Sequence, residues 1–363
     1  MKKALHYLII VLLFLSVFIS FSAELPYLRT MGQYPICLPK TGQSKIYHSR
    51  DDGALQKGVS WPKPRFIIQT NGTITDNLTG LMWERFPSPK RMNWHDAFKR
   101  IKELNTIKLG GFGDWRLPNI NELASLINYN VVRYYQWLTE QRFVIVSKIN
   151  AYYWSSTTNI RDIQFANCIM WDGFHLIEKK EAFFNLGGDA KGDYYTLATR
   201  TEKAGIIKLP RTGQIKSYHS GDDGDLLLGI PYPHTRFVKN GNGTITDKLT
   251  GLMWEISPSQ YTYNWFQAFG RIVELNATKL GGYNDWRLPN IIELRSLANM
   301  NNILSEFLNQ SGFNNIERSS YWSSTSRDFQ SAWYMSTTDG AIRSGEKLTY
   351  PKGLYVIAVR GGN

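Results

Sequence analysis

The phrase "GDWRLPNINELASLIN" occupies residues 113–128, and "NDWRLPNIIELRSLAN" occupies residues 284–299. Most of this phrase is explained by folding. Pro118 lies just ahead of a helix, Asn119 is a favourable N-cap, and Glu122 stands where its carboxylate can reach back to a free backbone donor. One apolar stripe follows, made of Ile120, Leu123, Leu126 and Ile127. The phrase therefore predicts a strand end, a turn and a helix buried along one face.

The phrase belongs to a longer internal repeat, and such a repeat determines the domain organisation of a chain. The segment "LPKTGQSKIYHSRDDGALQKG" (38–58, leader 1) returns as "LPRTGQIKSYHSGDDGDLLLG" (209–229, leader 2). At the same offset, "NGTITDNLTGLMWE" (71–84) returns as "NGTITDKLTGLMWE" (242–255). The repeated unit is far too long for a solenoid repeat, so each copy is expected to be a domain with its own core.

The repeat predicts the domain boundaries. Copy 1 is expected at residues 36–200 and copy 2 at residues 207–362, with a linker at residues 201–206. Residues 1–23 have a positive start, an apolar run and small residues at the end, which is typical of a secretory signal peptide. No later stretch is apolar and long enough to cross a membrane, so the mature protein is not expected to be an integral membrane protein.

Each copy is predicted to be α+β, with two helices packed on a mostly antiparallel sheet. The pattern around "TITD" and "GLMWE" indicates a hairpin. Helical spacing after Asn93 and Asn264 predicts the first helix, and the opening phrase predicts the second. Residues 129–151 and 300–319 are expected to be irregular, and strands are expected to close each copy.

The chain has two cysteines, Cys37 and Cys168, in 363 residues. Because cysteines of exported proteins tend to pair, we predict a disulfide that ties the beginning of copy 1 to its late strands. Two cysteines are too few for a tetrahedral cysteine zinc site.

The combination "NGTITDNLTGLMW", "DWRLPN", "YWSST" and a closing "VRGG" resembles the Lcl C-terminal domain family, over both copies. The resemblance implies two tandem C-type-lectin-like modules, related in fold to formylglycine-generating sulfatase-modifying domains. Those enzymes use cysteines at a copper site, and neither copy has such a pair. The Glu-Pro-Asn motif of calcium-dependent sugar-binding lectins is also missing from the sequence, so no cofactor is expected. A shared fold does not by itself transfer a reaction.

The repeated motif suggests two interpretations, a catalytic site and a structural lock. An Asp–Arg pair beside an aromatic ring can orient an anionic substrate. No nucleophile or general base accompanies it, so we interpret the motif as structural, with the charge pair locking the turn. The residues assigned to it are Asp114, Trp115, Arg116, Asn119 and Glu122, and in copy 2 Asp285, Trp286, Arg287, Asn290 and Glu293.

The leaders carry candidate metal ligands: His48, Asp51 and Asp52 in leader 1, and His219, Asp222 and Asp223 in leader 2. Carboxylates close to an imidazole suit zinc or manganese. The "DDG" segment is also an ordinary turn, in which Asp accepts local backbone bonds. We favour the turn, and predict no metal site.

Recognition is expected in the long loops, because loops on a rigid scaffold usually carry it. The segment "VVRYYQWLTEQR" (131–142) mixes arginines with aromatic rings. Rings that stack on sugar faces, beside guanidiniums that pair with sulfates or carboxylates, would bind an acidic glycan. The alternative is that these rings pack on their own domain. The candidate ligand-binding residues are Arg133, Tyr134, Tyr135, Trp137 and Arg142.

The net charge of +12 favours anionic partners such as acidic or sulfated polysaccharides. The sequence thus predicts an exported, non-catalytic binding or adhesion protein of the bacterial envelope, in the periplasm, at the cell surface or outside the cell. Its partner would be an anionic glycan or a cell-surface protein, and no specific nucleic acid is expected. Two alternatives stay open: an enzyme acting on polysaccharide or protein, and an envelope scaffold with protein partners only.

Overall fold

In a computed structural model, which describes residues 34–145, 151–159, 161–170, 175–179, 193–348 and 353–362, each copy contains two sheets. The predicted signal peptide at residues 1–23 lies outside the described residues. The described strands of copy 1 are β1 (Phe66–Ile68), β2 (Thr73–Asp76), β3 (Leu81–Glu84), β4 (Ala151–Thr158), β5 (Phe165–Met170), β6 (His175–Lys179), β7 (Asp193–Tyr195) and β8 (Thr199–Thr201). One sheet has the order β1-β2-β3-β8 and the other β6-β5-β4-β7, and all neighbours are antiparallel except β4 and β7.

Copy 2 repeats this arrangement. Its strands are β9 (Phe237–Lys239), β10 (Thr244–Asp247), β11 (Met253–Glu255), β12 (Ser320–Ser326), β13 (Ser331–Ser336), β14 (Ile342–Glu346) and β15 (Val359–Arg360). The sheets have the orders β15-β11-β10-β9 and β12-β13-β14. A parallel bridge between Tyr321 and Tyr355 stands where β4 pairs with β7 in copy 1.

The helices also come in matched sets. Copy 1 and leader 1 contain α1 (Asp52–Leu55), α2 (Trp94–Thr106), α3 (Ile120–Ser125) and α4 (Tyr134–Glu140). Copy 2 and leader 2 contain α5 (Asp223–Leu226), α6 (Trp265–Ala277), α7 (Ile291–Ser296) and α8 (Leu304–Gln310). The predicted α+β class with two repeated modules is confirmed. No helix among the described residues combines the length and apolarity that a bilayer span requires.

The prediction that residues 129–151 and 300–319 are irregular is wrong in part, because α4 and α8 lie within them. Both helices are short and lack a side-chain cap. Tyr134 and Leu138 of α4, and Leu304 and Leu308 of α8, bury one face against the core. Burial rather than local propensity therefore stabilises these helices.

Four buried tryptophans connect the helical and sheet regions through hydrogen bonds from their indole N–H groups to backbone carbonyls. Trp94 of α2 donates its indole N–H to the carbonyl of Ser155 at 2.8 Å, and Trp154 of β4 donates to the carbonyl of Met92 at 2.9 Å. Trp265 and Trp322 make the same bonds in copy 2, at 2.9 and 2.8 Å. These four rings thus fill the core while their N–H groups stay hydrogen-bonded.

Each leader crosses the boundary between the copies and packs on the body of the other copy. Asp52 of leader 1 accepts a hydrogen bond from Thr325 of copy 2 at 2.8 Å, and Asp223 of leader 2 accepts one from Thr157 of copy 1 at 2.7 Å. Each leader also touches the body of its own copy: the Thr41 carbonyl accepts from the Tyr129 amide at 2.9 Å, and the Thr212 carbonyl accepts from the Met300 amide at 2.8 Å. Both leaders therefore lie across the boundary between the copies, and each closes on the body of the opposite copy.

The predicted disulfide between Cys37 and Cys168 is not formed. Cys168 is buried in β5, inside the core of copy 1. Cys37 is exposed just ahead of leader 1, where the amide of its neighbour Ile36 donates to the Leu249 carbonyl of copy 2 at 2.7 Å. The crossing of leader 1 places Cys37 against copy 2 instead of against the sheet that holds Cys168.

Candidate functional site

The arginines of the repeated motif are engaged by glutamates of the following helix. Arg116 donates two hydrogen bonds to Glu122, both at 2.7 Å, and Glu122 also accepts from the Asn119 amide at 2.9 Å. Arg287 and Glu293 repeat the bidentate pair at 2.6 and 2.5 Å. Bidentate pairing of this kind fixes geometry as well as charge. The two guanidiniums therefore lock the turn before α3 and α7.

The aspartates of the motif pair elsewhere, so the expected Asp–Arg pair within the motif is wrong. Asp114 binds Arg200 of β8 at 2.6 Å, and Asp285 binds Arg360 of β15 at 2.7 Å. Hydrogen bonding to these arginines lowers the pKa of both carboxyl groups. Trp115 and Trp286, between the charged residues, are buried. Every side chain of the motif thus has a structural contact.

The metal candidates of leader 1 dock the leader. His48 stacks on Phe269 of α6 with ring centroids 4.0 Å apart. Asp51 caps α1, accepting from the Ala54 amide at 2.9 Å. Asp52 is buried and accepts from the Thr41 hydroxyl at 2.6 Å, and burial raises its pKa to about 7.

Leader 2 repeats these contacts on copy 1. His219 stacks on Phe98 of α2 at 4.1 Å, Asp222 caps α5, and Asp223 accepts from Thr212 at 2.6 Å. Burial raises the pKa of Asp223 to about 6. Among the described residues, no three His, Cys, Asp or Glu side chains converge as a metal site would require.

The predicted ligand-binding residues do not all face solvent. Tyr134 is buried in the core, and Tyr135 packs partly against it. Arg133 and Trp137 line one shallow groove of about 320 Å³ on α4. Arg142 is exposed beyond this groove, and its carbonyl accepts from the Arg85 side chain at 3.1 Å.

Trp61, which the sequence analysis does not single out, packs beside the α4 groove against Trp137. Its ring centroid lies 5.8 Å from that of Trp137, and the Arg65 guanidinium lies 4.5 Å from the Trp61 ring. Glu140 also lines the groove, so Arg133 is balanced by an acidic side chain. The α4 groove therefore offers an aromatic surface with little net charge.

A larger cleft lies between leader 1 and copy 2, and we call it the leader cleft. Its volume is about 500 Å³. Leader 1 contributes Arg50, Leu55 and Lys57 to one wall. Helix α6 and residues 284–288 form the other wall, which includes the exposed side chain of Val273.

The leader cleft carries a surplus of positive charge. Its acidic residue Asp285 is already paired with Arg360, and its motif residue Arg287 is paired with Glu293. Neither Arg50 nor Lys57 forms an ion pair with a described residue. Two cations on one cleft, without acids to balance them, favour an anionic ligand.

Copy 1 lacks these two cations at the matching positions. Gly221 of leader 2 stands where leader 1 has Arg50, and Leu228 stands where it has Lys57. On the facing helix, copy 1 has Lys102 where copy 2 has Val273. The sequence signal for this site is therefore the difference between the two leaders, at positions that belong to no recognised motif.

The profile of the Lcl C-terminal domain family matches residues 72–186 and 243–360. The chain belongs to the Lcl C-terminal domain family. No curated protein matches the chain. Within this Lcl C-terminal domain protein, the α4 groove lies inside a matched segment, whereas Arg50 and Lys57 of the leader cleft lie ahead of the first one.

Proposed function

We propose that this protein is an exported, non-catalytic binding protein that attaches to an acidic polysaccharide through the leader cleft. The observation that carries the proposal is the presence of Arg50 and Lys57, without ion-pair partners among the described residues, on a cleft of about 500 Å³. Guanidinium and ammonium groups bind sulfate and carboxylate through charge-assisted hydrogen bonds. Export is inferred from the signal-peptide pattern of residues 1–23.

The walls of the leader cleft suit a sugar polymer. Leu55 and Val273 supply apolar surface to these walls. The exposed fraction is 38% for Leu55 and 48% for Val273. The apolar faces of sugar rings can lie on such surface while their acidic groups reach the two cations.

The α4 groove supports a second contact with the same polymer. Trp137 and Trp61 supply rings for stacking, and Arg133 is exposed beside them. Two linked contacts raise the overall affinity if one polymer reaches both.

A binding role is favoured over catalysis by the engagement of the acidic groups. The motif carboxylates Glu122 and Glu293 each hold an arginine, and Asp285 holds Arg360. A general acid or base needs a carboxyl group within reach of a substrate. The carboxylates at the repeated motif instead hold the scaffold together.

The test compares binding of the mature chain to heparin, polygalacturonate and neutral dextran. We expect binding to the two acidic polymers, with a steep loss of affinity as salt rises, because the charge contacts are screened. The double variant Arg50→Ala/Lys57→Leu should bind about tenfold more weakly. The matched control is Lys102→Val, which copies the residue of copy 2 into copy 1 and should bind like the wild type.

Equal binding by the double variant and the wild type would overturn the assignment to the leader cleft. Absence of binding to both acidic polymers would overturn the proposed function. Shortening of either polymer during the assay would favour the enzyme hypothesis.

A further inference from the structure

A separate cavity lies between the two copies, and we call it the junction cavity. Both leaders and both motif helices line it, with Leu38 and Leu209 at equivalent positions of the repeat. The junction cavity and the leader cleft have no lining residue in common. The two sites can therefore be tested independently.

The walls of the junction cavity are largely apolar. Leu38, Ala124, Ile207, Leu209 and Ile292 contribute to them. The cavity volume is about 70 Å³. Because one ordered water needs about 10–15 Å³ of such volume, the space holds a group of about five to seven non-hydrogen atoms.

Arg295 of α7 lines this cavity without an acidic partner. Its Nη2 donates to the Ile120 carbonyl of copy 1 at 2.8 Å, and Tyr129 lies within hydrogen-bonding reach. Its Nη1 is buried and has no hydrogen-bond partner among the described residues. Burial lowers the pKa of Arg295 to about 10, the direction expected for a buried cation.

Six other arginines with little side-chain exposure are each paired with a carboxylate. They are Arg65 with Asp76, Arg100 with Glu84, Arg116 with Glu122, Arg236 with Asp247, Arg271 with Glu255, and Arg287 with Glu293. A buried charge is costly unless it is paired. Arg295 differs from these six because the partner is missing from the described side chains around it.

The lining of the cavity shows what the partner would be. None of the described residues that line it is acidic, whereas Arg295 and Lys208 are cationic. In copy 1, Ala124 stands where copy 2 has Arg295, so the opposite wall is apolar. A ligand with one anionic end and an apolar body would match both walls.

We propose that the junction cavity binds a small aliphatic monocarboxylate, with the carboxylate accepting hydrogen bonds from Arg295 and the apolar body lying between the leaders. The ligand supplies the negative charge that the surrounding chain lacks. Because the cavity is formed by both copies and both leaders, its occupation also ties the copies together.

The experiment uses isobutyrate and its neutral isostere isobutyramide as probes on the full mature chain. Calorimetry and thermal unfolding should both show binding of isobutyrate and little binding of isobutyramide. Arg295→Ala, which copies the residue of copy 1, should weaken isobutyrate binding about tenfold or more, since it removes a charge-assisted pair. The control Lys102→Val lies away from the cavity and should bind isobutyrate like the wild type.

Arg295→Ala removes a charge that has no acidic partner, so the variant is expected to fold, which its circular dichroism and unfolding midpoint would verify. If it does not fold, Arg295→Gln provides the same comparison with a neutral polar side chain. Equal binding of isobutyrate and isobutyramide would overturn the proposal, as would undiminished binding by the folded variant. Polysaccharide binding by the same variants reports on the leader cleft alone, so failure at one site does not imply failure at the other.

Discussion

The side chain of Glu293 serves two structural purposes. It binds Arg287 through both oxygens and also accepts from the Asn290 amide at 2.9 Å, closing the capping box of α7. The reach of the glutamate back to the helix start follows from the spacing in the sequence. The pairing of Glu293 with Arg287 cannot be predicted from that spacing, because the spacing does not show which carboxylate a guanidinium will reach. Asp285, for example, pairs with Arg360, which is remote from it in the sequence.

Removing the Glu293 charge tests the structural interpretation of the motif. Glu293→Gln leaves Arg287 buried without a counter-charge, and we expect the free energy of unfolding to fall by about 3 kcal/mol. Asp285→Asn breaks an ion pair whose aspartate is exposed, and should cost about 1 kcal/mol or less. Urea denaturation measures both. Equal, small losses would show that the buried pair does not hold the scaffold.

Asp52 and Asp223 make the stability of the protein depend on pH. Burial raises their pKa values to about 7 and about 6, above those of the unfolded chain. The folded state then binds protons more tightly, so these groups favour folding at low pH, and this advantage is lost as pH rises from about 4 to about 7. We expect Asp52→Asn to flatten the fall in unfolding midpoint between pH 5 and pH 8. An unchanged pH profile in this variant would contradict the assignment.

At the scale of elements, the sequence predicts most of what is regular. The cap residues Asn119 and Asn264 precede apolar stripes, and α3 and α6 begin where they stand. Helix α4 was missed because "VVRYY" favours strands over helices, and its helical state depends on packing in the core. The α4 groove was predicted only in part for the same reason. The burial of Tyr134 and the contact of Trp61 with Trp137 depend on tertiary structure and not on the sequence of residues 131–142.

The crossing of the leaders could not be predicted from the sequence. Both bodies present similar docking sites: Thr157 and Phe98 in copy 1 match Thr325 and Phe269 in copy 2. Two nearly identical leaders thus have two nearly identical sites, and only the three-dimensional path of the chain decides which leader uses which site. The leader cleft depends on that choice, because it joins leader 1 to copy 2.

A crossed response to mutation would verify this arrangement. Thr325→Val in copy 2 removes a hydroxyl that donates to Asp52, so hydrogen exchange should accelerate in leader 1. Thr157→Val in copy 1 removes the hydroxyl that donates to Asp223, and exchange should accelerate in leader 2. Each variant is the control for the other. Acceleration in the leader of the mutated copy itself would mean that the leaders do not cross.

At the scale of the whole molecule, one hydrophobic cluster extends through both copies, beside a second cluster within each copy. The cluster that contains Trp83 and Leu123 of copy 1 also contains Trp254 and Leu294 of copy 2. Tyr129 of copy 1 packs edge-on against Trp333 of copy 2, with ring centroids 5.6 Å apart. The sequence predicted a separate core for each copy, and the structure instead joins part of the two cores across the boundary.

The shared core predicts a single unfolding transition. Leu123→Ala and Leu294→Ala both truncate fully buried side chains, and each should lower the free energy of unfolding by about 3 kcal/mol. Scanning calorimetry should show one transition that either variant shifts to lower temperature. Two transitions, of which each variant shifts only one, would show that the copies unfold independently.

The exchange of leaders also bears on how such a duplication persists through evolution. Loss of either copy by deletion would remove the leader that covers the remaining body, and the remaining leader would have to turn back onto its own copy to replace it. Surface positions such as Arg50 and Gly221 face no such constraint and are free to drift apart. The crossed connection thus retains both halves of the gene while allowing their outer faces to acquire separate uses.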